Sequence, residues 1–121
     1  MAHKYVREYE ILLQEKASEH PNDFRSVEFV GCNNYFEGMR EAKRLSAKCP
    51  FTGSHGETIV NVELVCRQNE VDEYGDVWDS VEIFYEEFTN GKHIGRYCET
   101  AKGWKLVPPR RTNYKPSTKN K

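Results

Sequence analysis

The stretch SVEIFYEEFTNGKHIGRYCET, residues 80–100, constrains this chain more than any other. Asn90-Gly91 lies between two alternating runs, and a two-residue type I′ turn requires positive φ at both central residues, which Asn and Gly tolerate best. The dipeptide therefore predicts a β-hairpin. Counting back from Thr89 opposite Lys92 puts Val81, Ile83, Tyr85 and Glu87 on one face with Ile94, Arg96 and Cys98. The other face receives Phe84, Glu86 and Phe88 with His93, Gly95 and Tyr97. Both faces carry large apolar groups, whereas an antiparallel sheet with one solvated face is polar on that side. The pairs Phe84–Tyr97 and Phe88–His93, beside Gly95, predict either a stacking platform for a ligand or the core of a subunit interface. This register also sets Glu82 opposite Glu99, a like-charge pair that an antiparallel ladder disfavours. A β-bulge in the hairpin would remove it.

Upstream, YVREYEILLQE (5–15) fits a helical stripe or a strand. The turn cluster ASEHPND that follows and the alternation of RSVEFVGC favour two strands joined as a hairpin. Asn34 and Glu37 then form an N-x-x-E helix start, in which side chains satisfy the free amides of the first turn. Tyr35, Met39, Ala42 and Leu45 recur on one face of that helix, and Cys49-Pro50 ends it. FTGSHGE reads as a loop, TIVNVELVCR as a strand and QNEVDEYGDVWD as an acidic connector. After the hairpin, TAKG turns into WKLV before Pro108 and Pro109 end the sheet. The expectation is an α+β domain over 1–107. It has an antiparallel sheet of five to six strands in the order β-β-α-β-β-β, one main helix on one face, and a basic, partly disordered tail over 108–121.

One helix of about four turns covers one face of such a sheet. The second face calls for another cover, which a second copy, the tail or a ligand would supply.

Charge is unevenly spread. The chain of 121 residues carries a net charge of −1, but Arg110, Arg111, Lys115, Lys119 and Lys121 all fall in the tail. The first 107 residues hold thirteen basic side chains against nineteen acidic ones, a balance of −6. Such a body argues against duplex DNA as a partner, since phosphates select a basic face. No apolar run is long enough for a membrane span, and the opening MAHKYVREYE lacks the apolar segment of an export signal, which points to the cytoplasm. The four cysteines form no C-x-x-C pair and read as free, largely buried thiols.

Catalytic signatures are missing. His3, His20, His55 and His93 lie in separate segments without metal-ligand spacing, so no metal and no cofactor is expected. Ser54, His55 and Glu57 share one loop, whereas a catalytic triad converges from separate elements. The acids of NEVDEYGD lack the order of a calcium loop. The remaining binding chemistry is cationic and aromatic. Arg110 and Arg111 follow a rigid Pro-Pro and suit phosphates, Tyr114 suits stacking on a base, and Arg25 and Arg96 lie in strands.

A short acidic α+β chain without catalytic residues resembles phage-encoded counter-defence proteins. Among them it is similar to the Thoeris anti-defence sponge family, first type. The likeness lies in chain length, in the strand–strand–helix–strand order over 1–67, and in the late aromatic hairpin followed by an arginine-bearing tail. The resemblance implies a non-enzymatic homo-oligomer in the host cytoplasm that sequesters a cyclic ADP-ribose-like signal or a cyclic oligonucleotide. It also implies ligand contacts from an early arginine, a strand phenylalanine, an asparagine and a late arginine. The matching positions are Arg25, Phe84 or Phe88, Asn90, and Arg110 or Arg111, although the turn alone accounts for Asn90. With Arg96 and Tyr97 of the hairpin, these form the candidate ligand-binding set. The alternative is an acidic protein-binding inhibitor, such as an anti-CRISPR-like factor, that meets a basic partner.

Overall fold

The computed structural model describes residues 3–109. Strands β1 (Lys4–Lys16) and β2 (Phe24–Cys32) form the first hairpin, followed by helix α1 (Tyr35–Lys48). Two short strands, β3 (Phe51–Thr52) and β4 (Thr58–Ile59), pair with each other. Then come β5 (Asn61–Val71), β6 (Val77–Thr89), β7 (Lys92–Thr100) and β8 (Gly103–Val107). The main sheet is antiparallel with spatial order β2-β1-β5-β6-β7-β8, so the fold is α+β with one main helix among the described residues. Lys4–Lys16 is strand, which the turn cluster after it favoured. No helix among the described residues is long and apolar enough to cross a membrane.

Helix α1 starts where the sequence sets it. The Asn34 side chain accepts from the Glu37 amide at 2.8 Å, and the Glu37 carboxylate accepts in turn from the Asn33 amide at 2.9 Å, one residue earlier than expected. A cap of this kind is worth about 1 kcal/mol. Ala42 and Leu45 are buried on the sheet with Ile11, Leu13, Ile59, Val62, Leu64 and Phe88, and Tyr35 and Met39 pack at the margin. Gly38 allows the close approach, because a β-carbon there would stand 2.9 Å from a Leu64 methyl.

At about 1.5 Å per residue the fourteen-residue helix is ~21 Å long, while a thirteen-residue strand spans ~43 Å. The helix therefore covers only part of one face. Tyr5 and Val81, on the same face beyond it, stay more than half exposed.

Three sequence expectations are corrected. The loop narrows to 53–57, because Phe51–Thr52 pairs with Thr58–Ile59, with Ile59 fully buried and Phe51 packed on the same core. The acidic connector shrinks to Asp72–Asp76, since β5 runs on to Val71 and β6 begins at Val77. Its Asp72 carboxylate accepts from the Tyr74 and Asp76 amides and from Trp78 Nε1 at 2.7–3.0 Å, so it organises a turn. The Trp78 bond, more than the others, holds this carboxyl below the ordinary range.

The third correction concerns the late hairpin. Thr89 faces Lys92 and Phe88 faces His93, but Glu87 then faces Gly95, leaving Ile94 as an extra residue. Beyond this bulge Glu86 faces Arg96, Tyr85 faces Tyr97 and Phe84 faces Cys98. Arg96 and Tyr97 have exchanged faces relative to the unbulged count. The expected Phe84–Tyr97 pair is therefore absent, whereas Phe88 and His93 remain adjacent with ring centroids 5.3 Å apart. The physical reasons are charge and space. The expected Glu82–Glu99 pair is absent, since the ladder with β7 ends at Phe84 facing Cys98. Gly95, at φ 153°, provides the conformation, and a β-carbon there would lie 2.6 Å from the Val107 carbonyl oxygen.

Candidate functional site

The bulge builds a polar cluster under the N-terminal end of α1. Glu86 rises from the middle of β6 toward the helix, between Phe84 and Phe88, and is fully buried. A carboxylate in that position needs partners, since burial without them costs several kcal/mol. Arg96 of β7 donates from Nε at 3.1 Å and from Nη2 at 2.6 Å, both to Oε2. The Tyr35 hydroxyl of α1 donates to the same oxygen at 2.6 Å, and His93 Nε2 lies 3.0 Å from Oε1. Burial pushes the Glu86 carboxyl up, but the bonds from Arg96, Tyr35 and His93 together outweigh it and hold the group below the ordinary carboxylate range. Burial, reinforced by Glu86, pushes the Tyr35 phenol up, which keeps its proton in place as a donor.

The Arg96 guanidinium also lies 3.7 Å over the centre of the Phe84 ring, a close cation–π contact. It is thus held in plane by the ring and in rotation by the carboxylate. It borders a cavity of about 460 Å³ lined by Tyr35, Met39, Glu86, His93 and Arg96, with Val107, Pro108 and Pro109 forming the wall beyond β8. The remaining guanidinium nitrogen, Nη1, makes no hydrogen bond among the described residues. A fork fixed in this way presents a directional donor at low entropic cost, which suits an anionic oxygen. Glu86 balances its charge, so a multiply charged ligand needs further cations.

The sequence-derived candidates divide clearly. Phe84, Phe88 and Arg96 come together at or beside the cavity, Phe88 as part of the core. Asn90 occupies the turn at φ 51°, with Gly91 donating to the Ser46 hydroxyl of α1 at 3.1 Å. Tyr97 points to the opposite face, next to Tyr85 and Trp104. Arg25 is engaged with Glu15 at 2.6 Å on β2, an edge strand with three strands between it and β7, which at about 4.8 Å per step is ~19 Å away. Arg110 and Arg111 lie outside the described residues; the residue before them, Pro109, lines the cavity.

Glu86, Tyr35 and His93 were missed as site residues. The available signal was a carboxylate inside an apolar stripe, which calls for a cross-strand cation; only a one-residue slip supplies Arg96. Elsewhere, Ser54 hydrogen bonds to Glu28 through its amide and hydroxyl, and His55 is largely exposed, so GSHGE forms no triad. Burial pushes the thiols of Cys32, Cys49 and Cys66 up, which disfavours the reactive thiolate. Comparisons of the chain with family models, curated proteins and solved structures returned no match.

Proposed function

We propose that this protein captures a small phosphate-bearing nucleotide in the Arg96 cavity and retains it without converting it. The observation that carries the reading is the Arg96 fork, oriented by buried Glu86 and stacked on Phe84 at the edge of a cavity in the size range of small-ligand sites. The aromatic wall from Tyr35 offers a surface for a base. Two further cations, Arg110 and Arg111, follow Pro109 of the cavity wall in the sequence. On this reading the biological role is counter-defence by sequestration of a cyclic ADP-ribose-like or cyclic oligonucleotide signal, in a homo-oligomer.

The test is depletion. The protein is incubated with cyclic ADP-ribose isomers and with cyclic di- and trinucleotides, filtered, and heated to release what it holds. Chromatography should recover one ligand class, depleted from the filtrate and chemically unchanged. Arg96→Lys, which keeps the charge and loses the fork, should weaken capture at least tenfold. Altered ligand, or no depletion of any nucleotide, overturns the proposal.

A further inference from the structure

The face of the sheet away from α1 carries a second arrangement with the opposite electrostatics. Tyr85 on β6, Tyr97 on β7 and Trp104 on β8 stand side by side there. Their ring centroids are 5.4–6.3 Å apart, and the rings are tilted by 38–59° to one another. With Glu82 they line a cavity of about 350 Å³, and the Tyr85 hydroxyl is hydrogen bonded to the Glu82 carboxylate. Tyr97 and Trp104 remain 39% and 38% exposed, so part of each ring is accessible from solvent. Tilted rings closed by a carboxylate attract an organic cation, through the ring quadrupole and through charge.

The cage is not isolated. Tyr85 and Tyr97 also line a longer groove of about 870 Å³, whose apolar walls include Phe24, Ile94 and Leu106 and whose floor holds Glu63 opposite Glu87. Around the rings, Glu10, Glu63 and Glu82 rise on this face against a single arginine among the described residues, Arg67. Arg67 is already paired with Glu10 at 2.7 Å and approaches Glu82 at 3.6 Å. The lysines on the same face, Lys4, Lys16 and Lys92, stand at strand ends.

We infer that this face docks a basic segment of a partner protein, with an arginine or lysine side chain in the Tyr85–Tyr97–Trp104 cage and an apolar side chain in the adjoining groove. Charge complementarity selects this occupant. A second copy meeting the same face across a two-fold axis would set these carboxylates against their own kind. Nucleic acid and anionic lipid would meet like charge. A lone small cation would fill the cage and leave the groove empty. The inference rests on the far face alone and is independent of nucleotide capture.

The test uses a fluorescein-labelled nonapeptide alternating arginine and leucine, titrated with the full chain and followed by anisotropy. Saturable binding is expected, falling at least tenfold in affinity between 0.1 and 0.5 M salt. An isomer with glutamate in place of arginine should not bind. Tyr97→Ala with Trp104→Ala should weaken binding at least tenfold. Because a double truncation can loosen β8, Glu82→Gln serves as the second variant, with a threefold loss expected and nucleotide depletion unchanged. Unaltered binding in the folded variants, equal binding of the glutamate isomer, or competition by N-acetyl-arginine amide at the peptide's own concentration overturns the inference. So does binding that appears only after removal of residues 110–121, since the chain's own basic tail would then be the occupant.

Discussion

Glu86 and Glu87 are neighbours in one strand, and they behave as opposites. Glu86 faces the helix, where three groups donate to it, and its carboxyl is held below the ordinary range. Glu87 faces the other way, directly across from Glu63. Burial first, and then Glu63, push the Glu87 carboxyl up to about 9. Loss of water raises both groups. What differs is the neighbour, since donors on one side stabilise the charge that a second carboxylate on the other side repels. Burial of an acid thus predicts neither its charge nor its contribution to stability until its partners are known.

The comparison is broken most severely at Glu86. Glu86→Ala strips the partner from Arg96 and Tyr35 inside a desolvated cluster, and should cost about 3–5 kcal/mol in a denaturant titration. The sign with pH follows from the lowered folded value. The native carboxylate contributes stability above its unfolded pKa, and that contribution fades as pH falls through the folded one. The variant should therefore lose part of the acid limb of the stability profile as well as its height.

Next in size is Gly95→Ala. The added methyl would meet the Val107 carbonyl in a backbone conformation that L-residues rarely adopt. A loss of about 1–3 kcal/mol is expected by thermal melting. Because β8 must move away, the Val107–Pro109 wall of the Arg96 cavity moves with it, and nucleotide depletion should fall in parallel with stability.

These two residues also mark the boundary of what the chain discloses before it is folded. The hairpin, the helix start at Asn34 and the strand alternation of β5 rest on interactions within a few residues of one another, and so they are legible. The Ile94 bulge is not local. It is decided by Glu86 gaining Arg96 and by β8 passing close over Gly95. The only trace of it in the sequence is the Glu82–Glu99 clash that an unbulged ladder creates. The candidate site shares this fate, because a slip of one residue decides which face Arg96 and Tyr97 join. The pairing of Phe51 with Ile59 was hidden for a similar reason, since two-residue strands are held by core packing and carry no pattern of their own.

Glu87→Gln should act with the reverse sign of Glu86→Ala. A raised folded pKa means that the native state takes up a proton. Its contribution is complete below the unfolded value of 4.5 and is lost as pH rises toward about 9. The glutamine keeps the shape and a donor toward Glu63 without needing that proton. A gain of roughly 1–2 kcal/mol near neutral pH is expected. The gain should grow between pH 5 and pH 9 in melts run on both proteins, and equal melting temperatures across that range would remove the proton from the Glu63–Glu87 pair.

The smallest effect sharpens the comparison from outside both faces. Asn90 belongs to neither; it holds φ 51° at the tip of the hairpin, beside Gly91 and the end of α1. If its role is the turn, Asn90→Gly preserves it, because glycine reaches positive φ without strain. Stability should stay within about 0.5 kcal/mol of the parent, a surface-substitution magnitude, and nucleotide depletion should be unchanged. If Asn90 instead supplies its amide to a ligand, depletion falls while the melting temperature does not. The pair of measurements therefore separates a residue that shapes the hairpin from one that reads what the hairpin binds, and the turn geometry assigns Asn90 to the first.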